Sequence, residues 1–205
     1  MNRLLTAIFL LSCTTGSAED TTWVKVHFLY GSKPLKQYSE SESKWFGGVL
    51  GGHVGIEIDS NSILNFVPNE GLHWFAHKKL FRSRFALHSF HGFYSMFSGS
   101  ADSVKKAIVY VPLTTAQKLA LDSISQAYLQ QTPYDYAFVG MRCGAAAYHI
   151  LAQLGILPEY SYRRTHLKIF YPRKLRTPLF KKARENNWFI ELAEGSSKRK
   201  WDRDK

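Results

Sequence analysis

The sequence predicts an α+β domain built on an antiparallel sheet. Three observations carry the prediction. Segments before residue 114 alternate apolar and polar residues with a period of two, the signature of half-buried strands. From Thr114 to Gly155 the apolar residues recur instead at helical spacing, and strands grouped ahead of helices fit an α+β arrangement. The composition, 45% apolar and 15% aromatic over 205 residues, supplies one substantial core and excludes a disordered chain. There is no internal repeat and no low-complexity tract.

The chain opens on a targeting pattern. Arg3 supplies positive charge, Leu4 to Leu11 is apolar apart from Thr6, and Ser12 to Ala18 is small and polar. The apolar run is shorter than the roughly 20 residues of a membrane span, so residues 1–18 read as a signal peptide. Two processing outcomes fit. Gly16-Ser17-Ala18 offers small residues for a signal peptidase, and Leu10-Leu11-Ser12-Cys13 resembles a bacterial lipobox, whose signal ends before a lipidated Cys13. Either implies export, to the periplasm or to a membrane as an anchored lipoprotein. A buried N-terminal segment is the alternative.

Val24, Val26, Phe28 and Tyr30 alternate with Lys25, His27 and Leu29 in the first strand. A Ser-, Lys- and Gly-rich loop follows over 31–52. His53 to Asp59 alternates again, Ser60-Asn61-Ser62 has turn chemistry, and Ile63 to Val67 returns, so 53–67 is a β-hairpin. Residues 72–77 and 84–90 are further strand candidates, and the Gly- and Ser-rich stretch 92–103 reads as loop. Ala107 to Leu113 is a strand. Thr114 and Gln117 form a capping box for a helix with Leu121, Ile124 and Tyr128 on one face, ending near Gln131. A second helix starts around 140–142, passes through three consecutive alanines to Leu154, and stops at Gly155. The domain so predicted spans 19–157. Residues 158–205 read as a basic C-terminal extension.

Charge is concentrated in that extension. The chain carries +11, and residues 159–205 hold 14 Lys and Arg against 6 Asp and Glu. Such a segment suits an anionic membrane or polymer surface, or serves as a solvated tail. Nucleic acid is not expected as the partner of an exported protein. The terminal run beyond Gly195 is expected to be dispensable for chemistry at Cys143.

Cysteine use points to a site. The chain has two cysteines, Cys13 and Cys143, and processing removes or lipidates the first. Cys143 then sits alone in the first turn of an alanine-rich helix, where free backbone N–H groups and the helix dipole favour a thiolate, with Arg142 beside it. A thiolate nucleophile needs a base within hydrogen-bond reach. Of eight histidines, His53 is best placed, at the start of a strand after a Gly-rich loop. A strand-borne imidazole opposite a helix-borne thiol is the papain arrangement. The plain alternatives are a packed core cysteine and a structural histidine. His73 and His77, or His88 and His91, have the spacing of a metal pair but no nearby carboxylate or thiol to complete a zinc set, so no metal or cofactor is expected.

The segment Gly52-His53-Val54-Gly55-Ile56-Glu57-Ile58 resembles the histidine motif of the circularly permuted NlpC-type papain-like proteins. That group includes lecithin:retinol acyltransferase-like enzymes and several bacterial lipoproteins. There the histidine strand precedes the cysteine helix, and a third polar residue lies on the strand after the histidine. Here that position falls on Asn65, twelve residues on and across the predicted hairpin. Tyr134-Asp135-Tyr136-Ala137-Phe138 leading to Arg142-Cys143 is similar to the family's cysteine motif. Gly144-Ala145 stands where many relatives have serine and an acidic or bulky residue, and Asn65 where a histidine or acid is more usual. Over residues 24–157 the resemblance implies a papain-like (NlpC-type, permuted) domain whose antiparallel sheet packs on the nucleophile-bearing helix. It implies a triad of Cys143, His53 and Asn65 hydrolysing an amide, with a cell-wall peptide as substrate. Acyl transfer or thioester hydrolysis on a lipid-derived substrate, and an inactive basic binding module, are the alternatives.

Overall fold

Alternation of apolar residues along the strands is realised in a six-stranded antiparallel sheet. In this computed structural model residues 22–45, 48–71, 73–76 and 82–204 are described. The leader read over 1–18, with Cys13, lies outside them, as does His77. The sheet runs β6(Ser83–His88)-β4(Ser62–Pro68)-β3(Gly52–Asp59)-β1(Thr22–Tyr30)-β7(Lys106–Leu113)-β9(Ile190–Ala193). Every pairing in it is antiparallel. The molecule is therefore α+β with an antiparallel sheet, as the sequence predicts.

One face of the sheet carries Val24, Val26, Phe28, Val54, Ile56, Leu64 and Phe66, all buried. Against it pack α3(Cys143–Gln153), α5(Pro172–Glu185) and α2(Thr115–Gln130). Ala145, Ala146 and Ala147 are buried in α3, and their small side chains let the helix lie close to β3 and β4. Gly144 has a similar cause: a Cβ there would stand 3.2 Å from Pro172 Cα, where α5 begins. The capping box at Thr114 and Gln117 forms, fixing the start of α2. Leu154 caps α3, and Gly155 follows with φ +71°, a left-handed turn glycine adopts without strain.

The opposite face is covered by α1(Phe90–Ser95), in the stretch expected to be loop. Phe93 and Tyr94 are the reason: both are fully buried, with Leu29 and Ile63 in a second cluster, and Ser89 caps the turn by accepting from Gly92 N. Buried His27 is held under this helix between Tyr94 Oη and Glu57 Oε2, at 2.9 Å each.

The segment expected as a separate basic extension is built into the fold. It supplies α4(Tyr162–Lys168), α5, the edge strand β9, and β10(Arg199–Trp201), which pairs with β2(Ser32–Pro34). Arg176 is fully buried, its Nη2 2.9 Å from Asp202 Oδ2 and its Nε 2.6 Å from Asp204 Oδ1. Part of the charge read as a solvated run is thus neutralised internally, and Leu175, Leu179, Phe180 and Ala183 extend the main core.

Candidate functional site

The three residues singled out by sequence converge at one end of the sheet. His53 is the second residue of β3, Asn65 lies on β4 directly opposite Gly55, and Cys143 is the first residue of α3. Two residues separate His53 from Gly55, so the period of the strand puts His53 and Asn65 on one face. Gly55 keeps that face open: a Cβ there would stand 2.8 Å from the Phe93 ring, which packs beside the imidazole with ring centroids 5.4 Å apart. All three side chains are buried.

His53 Nε2 and Asn65 Oδ1 are 3.0 Å apart. The amide cannot be turned the other way. Asn65 Nδ2 donates toward Ile63 O at 3.1 Å and Ala86 O at 3.2 Å, and an oxygen in its place would face two carbonyl oxygens. Asn65 Oδ1 is therefore the acceptor, His53 Nε2 carries the proton, and Nδ1 remains for the thiol.

The electrostatics match that assignment. Burial acts to lower the His53 pKa, but the negative charge of Cys143, its hydrogen bond and the bond to Asn65 together raise it. Burial acts to raise the Cys143 pKa, and the charge and hydrogen bond of His53, then Arg142 and Tyr136, outweigh it, so the thiol is lowered. The two groups favour each other's charged forms: a thiolate beside an imidazolium.

Two residues join the site that sequence alone did not assign to it. His88 on β6 accepts from Asn65 Nδ2 at 2.8 Å and extends the chain of contacts to Cys143–His53–Asn65–His88. In sequence its spacing to His91 is that of a metal pair instead. Tyr136 lines the cleft beside Cys143, and its hydroxyl helps to lower the thiol pKa. Its loop is anchored from below: Ser83 Oγ accepts from Tyr136 N at 3.0 Å, and Asp135 Oδ1 accepts from Ser83 Oγ at 3.2 Å and Arg82 N at 3.1 Å. Asp135 Oδ2 meets His73 Nε2 at 2.6 Å. The acidic and aromatic residues ahead of the nucleophile thus hold the loop that enters α3.

Cys143 is reached through a cleft of about 290 Å³, lined also by Val49, Leu50, Phe138, Phe170 and Tyr171. A second cavity of about 380 Å³ lies on the His53 and His88 side. Phe97 and Tyr136 line both, so they form the wall between the thiol side and the imidazole side. Among the described residues no group of three or more His, Cys, Asp or Glu side chains comes together as a metal site. Among them, too, no helix is long and apolar enough to cross a membrane.

Comparison of the chain with protein-family models, curated proteins and solved structures found no match.

Proposed function

We propose that this chain is an exported cysteine hydrolase of the papain-like, permuted NlpC type, cleaving an amide bond, with cell-wall peptides as its substrate class. One observation carries the reading: buried Cys143 and His53 shift each other toward their charged forms, and the fixed Asn65 amide holds His53 Nε2, leaving Nδ1 free for the thiol. The export step rests on the leader pattern of residues 1–18.

The chemistry follows from that line. The Cys143 thiolate attacks the carbonyl carbon and forms a tetrahedral intermediate. Its oxyanion is met by the backbone N–H of Cys143 at the start of α3, with the Tyr136 hydroxyl beside the thiol as a second donor. His53 gives its proton to the leaving nitrogen, the C–N bond breaks, and an acyl-enzyme remains. Water, deprotonated by His53, then releases the acid and restores the thiol. Asn65 keeps the imidazole in one tautomer through both proton transfers.

A second enzymatic reading, acyl transfer or thioester hydrolysis on a lipid, is favoured by the apolar and aromatic lining of the cleft. An inactive basic module would retain the fold with an unreactive thiol. The test is digestion of purified cell wall by wild type and Cys143→Ala. New amino groups released by wild type alone support the amidase. Fatty acid released from acylated substrates, with no amines from cell wall, moves the assignment to the lipid reading. Neither product, with a thiol of ordinary reactivity, leaves the binding module, whose basic surface would then serve an anionic membrane or polymer.

A further inference from the structure

The guanidinium of Arg142 stands beside the nucleophile in an unusual electrostatic position. Arg142 is the N-cap of α3, with extended backbone (φ −134°, ψ 174°). Its Cζ lies 3.7 Å from the centroid of the Phe170 ring, 5.1 Å from that of Tyr171 and 5.4 Å from that of Phe138. Nε and Nη2 are buried among these rings without a hydrogen-bond acceptor. Arg142 lines the cleft that reaches Cys143, and no acidic side chain lines it.

The two buried guanidinia that stack on rings, Arg176 and Arg199, are treated differently. Arg176 lies over the Tyr30 ring at the same 3.7 Å, and it is given Asp202 and Asp204. Arg199 lies over Trp45 at 4.6 Å, and it is given Glu42 at 3.0 Å and Ser32 at 2.7 Å. Arg142 has no carboxylate partner among the described residues. Aromatic rings satisfy the flat faces of a guanidinium but not its in-plane N–H fork, and that fork matches the two oxygens of a carboxylate. Partial removal from water strengthens any anion bound there.

We propose that Arg142 is the anion-recognition residue of the Cys143 cleft and that it takes a carboxylate carried by the substrate, a few bonds from the acyl carbon under attack. This rests on the cysteine-hydrolase reading and narrows it to acidic acyl substrates. Arg142 also supports the thiolate by its charge, so a test must separate the two roles.

Paired alkylating agents do so. Iodoacetate and iodoacetamide both react by thiolate attack, forming a C–S bond and expelling iodide, and they differ in one carboxylate. A change in thiolate fraction slows both equally and cancels in their ratio. The full chain is alkylated with each reagent, and the rate at Cys143 is read from the mass of its peptide, with N-acetylcysteine as the reference thiol. The iodoacetate-to-iodoacetamide ratio of wild type is expected to exceed the reference by roughly tenfold to a hundredfold, the worth of a charged hydrogen-bonded pair. Arg142→Met should return the ratio to the reference, and Arg142→Lys, which keeps charge without the fork, should fall between. Glutarate should protect wild-type Cys143 from iodoacetamide, which tests the site even where a variant fails to fold. A wild-type ratio equal to the reference, with no protection by glutarate, overturns the proposal. If iodoacetamide then still reacts fast in a His53-dependent way, only the anion site is lost. A thiol inert to both reagents overturns the hydrolase reading along with it.

Discussion

Asn65 accepts from His53 Nε2 at 3.0 Å, and the direction of that bond is set from the far side of the amide, by the carbonyls of Ile63 and Ala86. Tautomer control of a catalytic imidazole therefore originates in backbone groups of β4 and β6. Substitutions at residue 65 should separate accordingly. Asn65→Ala frees the imidazole and should lower turnover while leaving the fold in place. Asn65→Asp puts a carboxylate oxygen against two carbonyl oxygens and should cost stability as well, by about 1–3 kcal/mol, the scale of a buried polar group left without a partner. Urea denaturation of the two variants checks this. Equal midpoints for Asp and Ala would contradict the assigned amide orientation.

The opposed pKa shifts of Cys143 and His53 give a signed pH prediction. Cys143 is lowered from 9.0, and His53 is raised from 6.5. Both shifts act toward a thiolate–imidazolium pair. Alkylation by iodoacetamide should accordingly begin at lower pH than for an ordinary thiol. His53→Ala removes the largest lowering influence, so the rise should move to higher pH and the neutral rate should fall. Asn65→Ala should shift it less. An unchanged profile in His53→Ala would assign the base elsewhere. Cys143→Ser should keep the fold and lose turnover, since a hydroxyl is far less acidic than the thiol.

Much of this site was legible in the sequence because its parts obey local rules. His53 sits in a period-two strand, Asn65 lies an even number of residues away across a tight hairpin, and Cys143 opens a helix. Local spacing also gave the strands at Val24 and Ala107 and the capping box at Thr114. What escaped depends on contacts distant in sequence. His88 meets Asn65 only because β6 pairs with β4, 23 residues away. The short helix α1 is stabilised by burial of Phe93 and Tyr94, against the loop propensity of its Gly and Ser residues. Asp202 and Asp204 look like a charged tail until Arg176, on another element, is placed between them.

His88 should act as a positioning residue through Asn65. Its Nδ1 accepts from Asn65 Nδ2 at 2.8 Å, which requires that nitrogen to be unprotonated. Burial, then the charges of His53 and Arg84, keep its pKa below 6.5. Protonation at acid pH would set a donor against a donor and loosen Asn65. His88→Phe should lower kcat by roughly threefold to tenfold, the worth of one hydrogen bond, with KM unchanged. It should also remove one titration from the acid limb of the pH profile, and His88→Gln, which retains an acceptor, should restore part of kcat. A purely structural role would leave the shape of the pH profile as it is.

Deleting residues 196–205 tests how far the C-terminal segment belongs to the fold. The sequence pattern marks this run as dispensable, whereas the structure gives it three internal roles. Arg199 to Trp201 pairs with β2, Trp201 packs edge-on against Trp45 with centroids 5.2 Å apart, and Asp202 and Asp204 neutralise Arg176. Truncation would strip the Arg176 guanidinium, buried in the intact fold, of both its carboxylates. Breaking a buried pair by removing one partner costs about 3–5 kcal/mol, against a total stability of roughly 5–15 kcal/mol for a domain. The truncated chain should therefore unfold at much lower urea, and where unfolded its Cys143 should react only as fast as an ordinary thiol. Adding Arg176→Met to the truncation removes the stranded charge and should recover part of the loss. A truncated chain with the full-length midpoint would show that the pairing carries little of the stability.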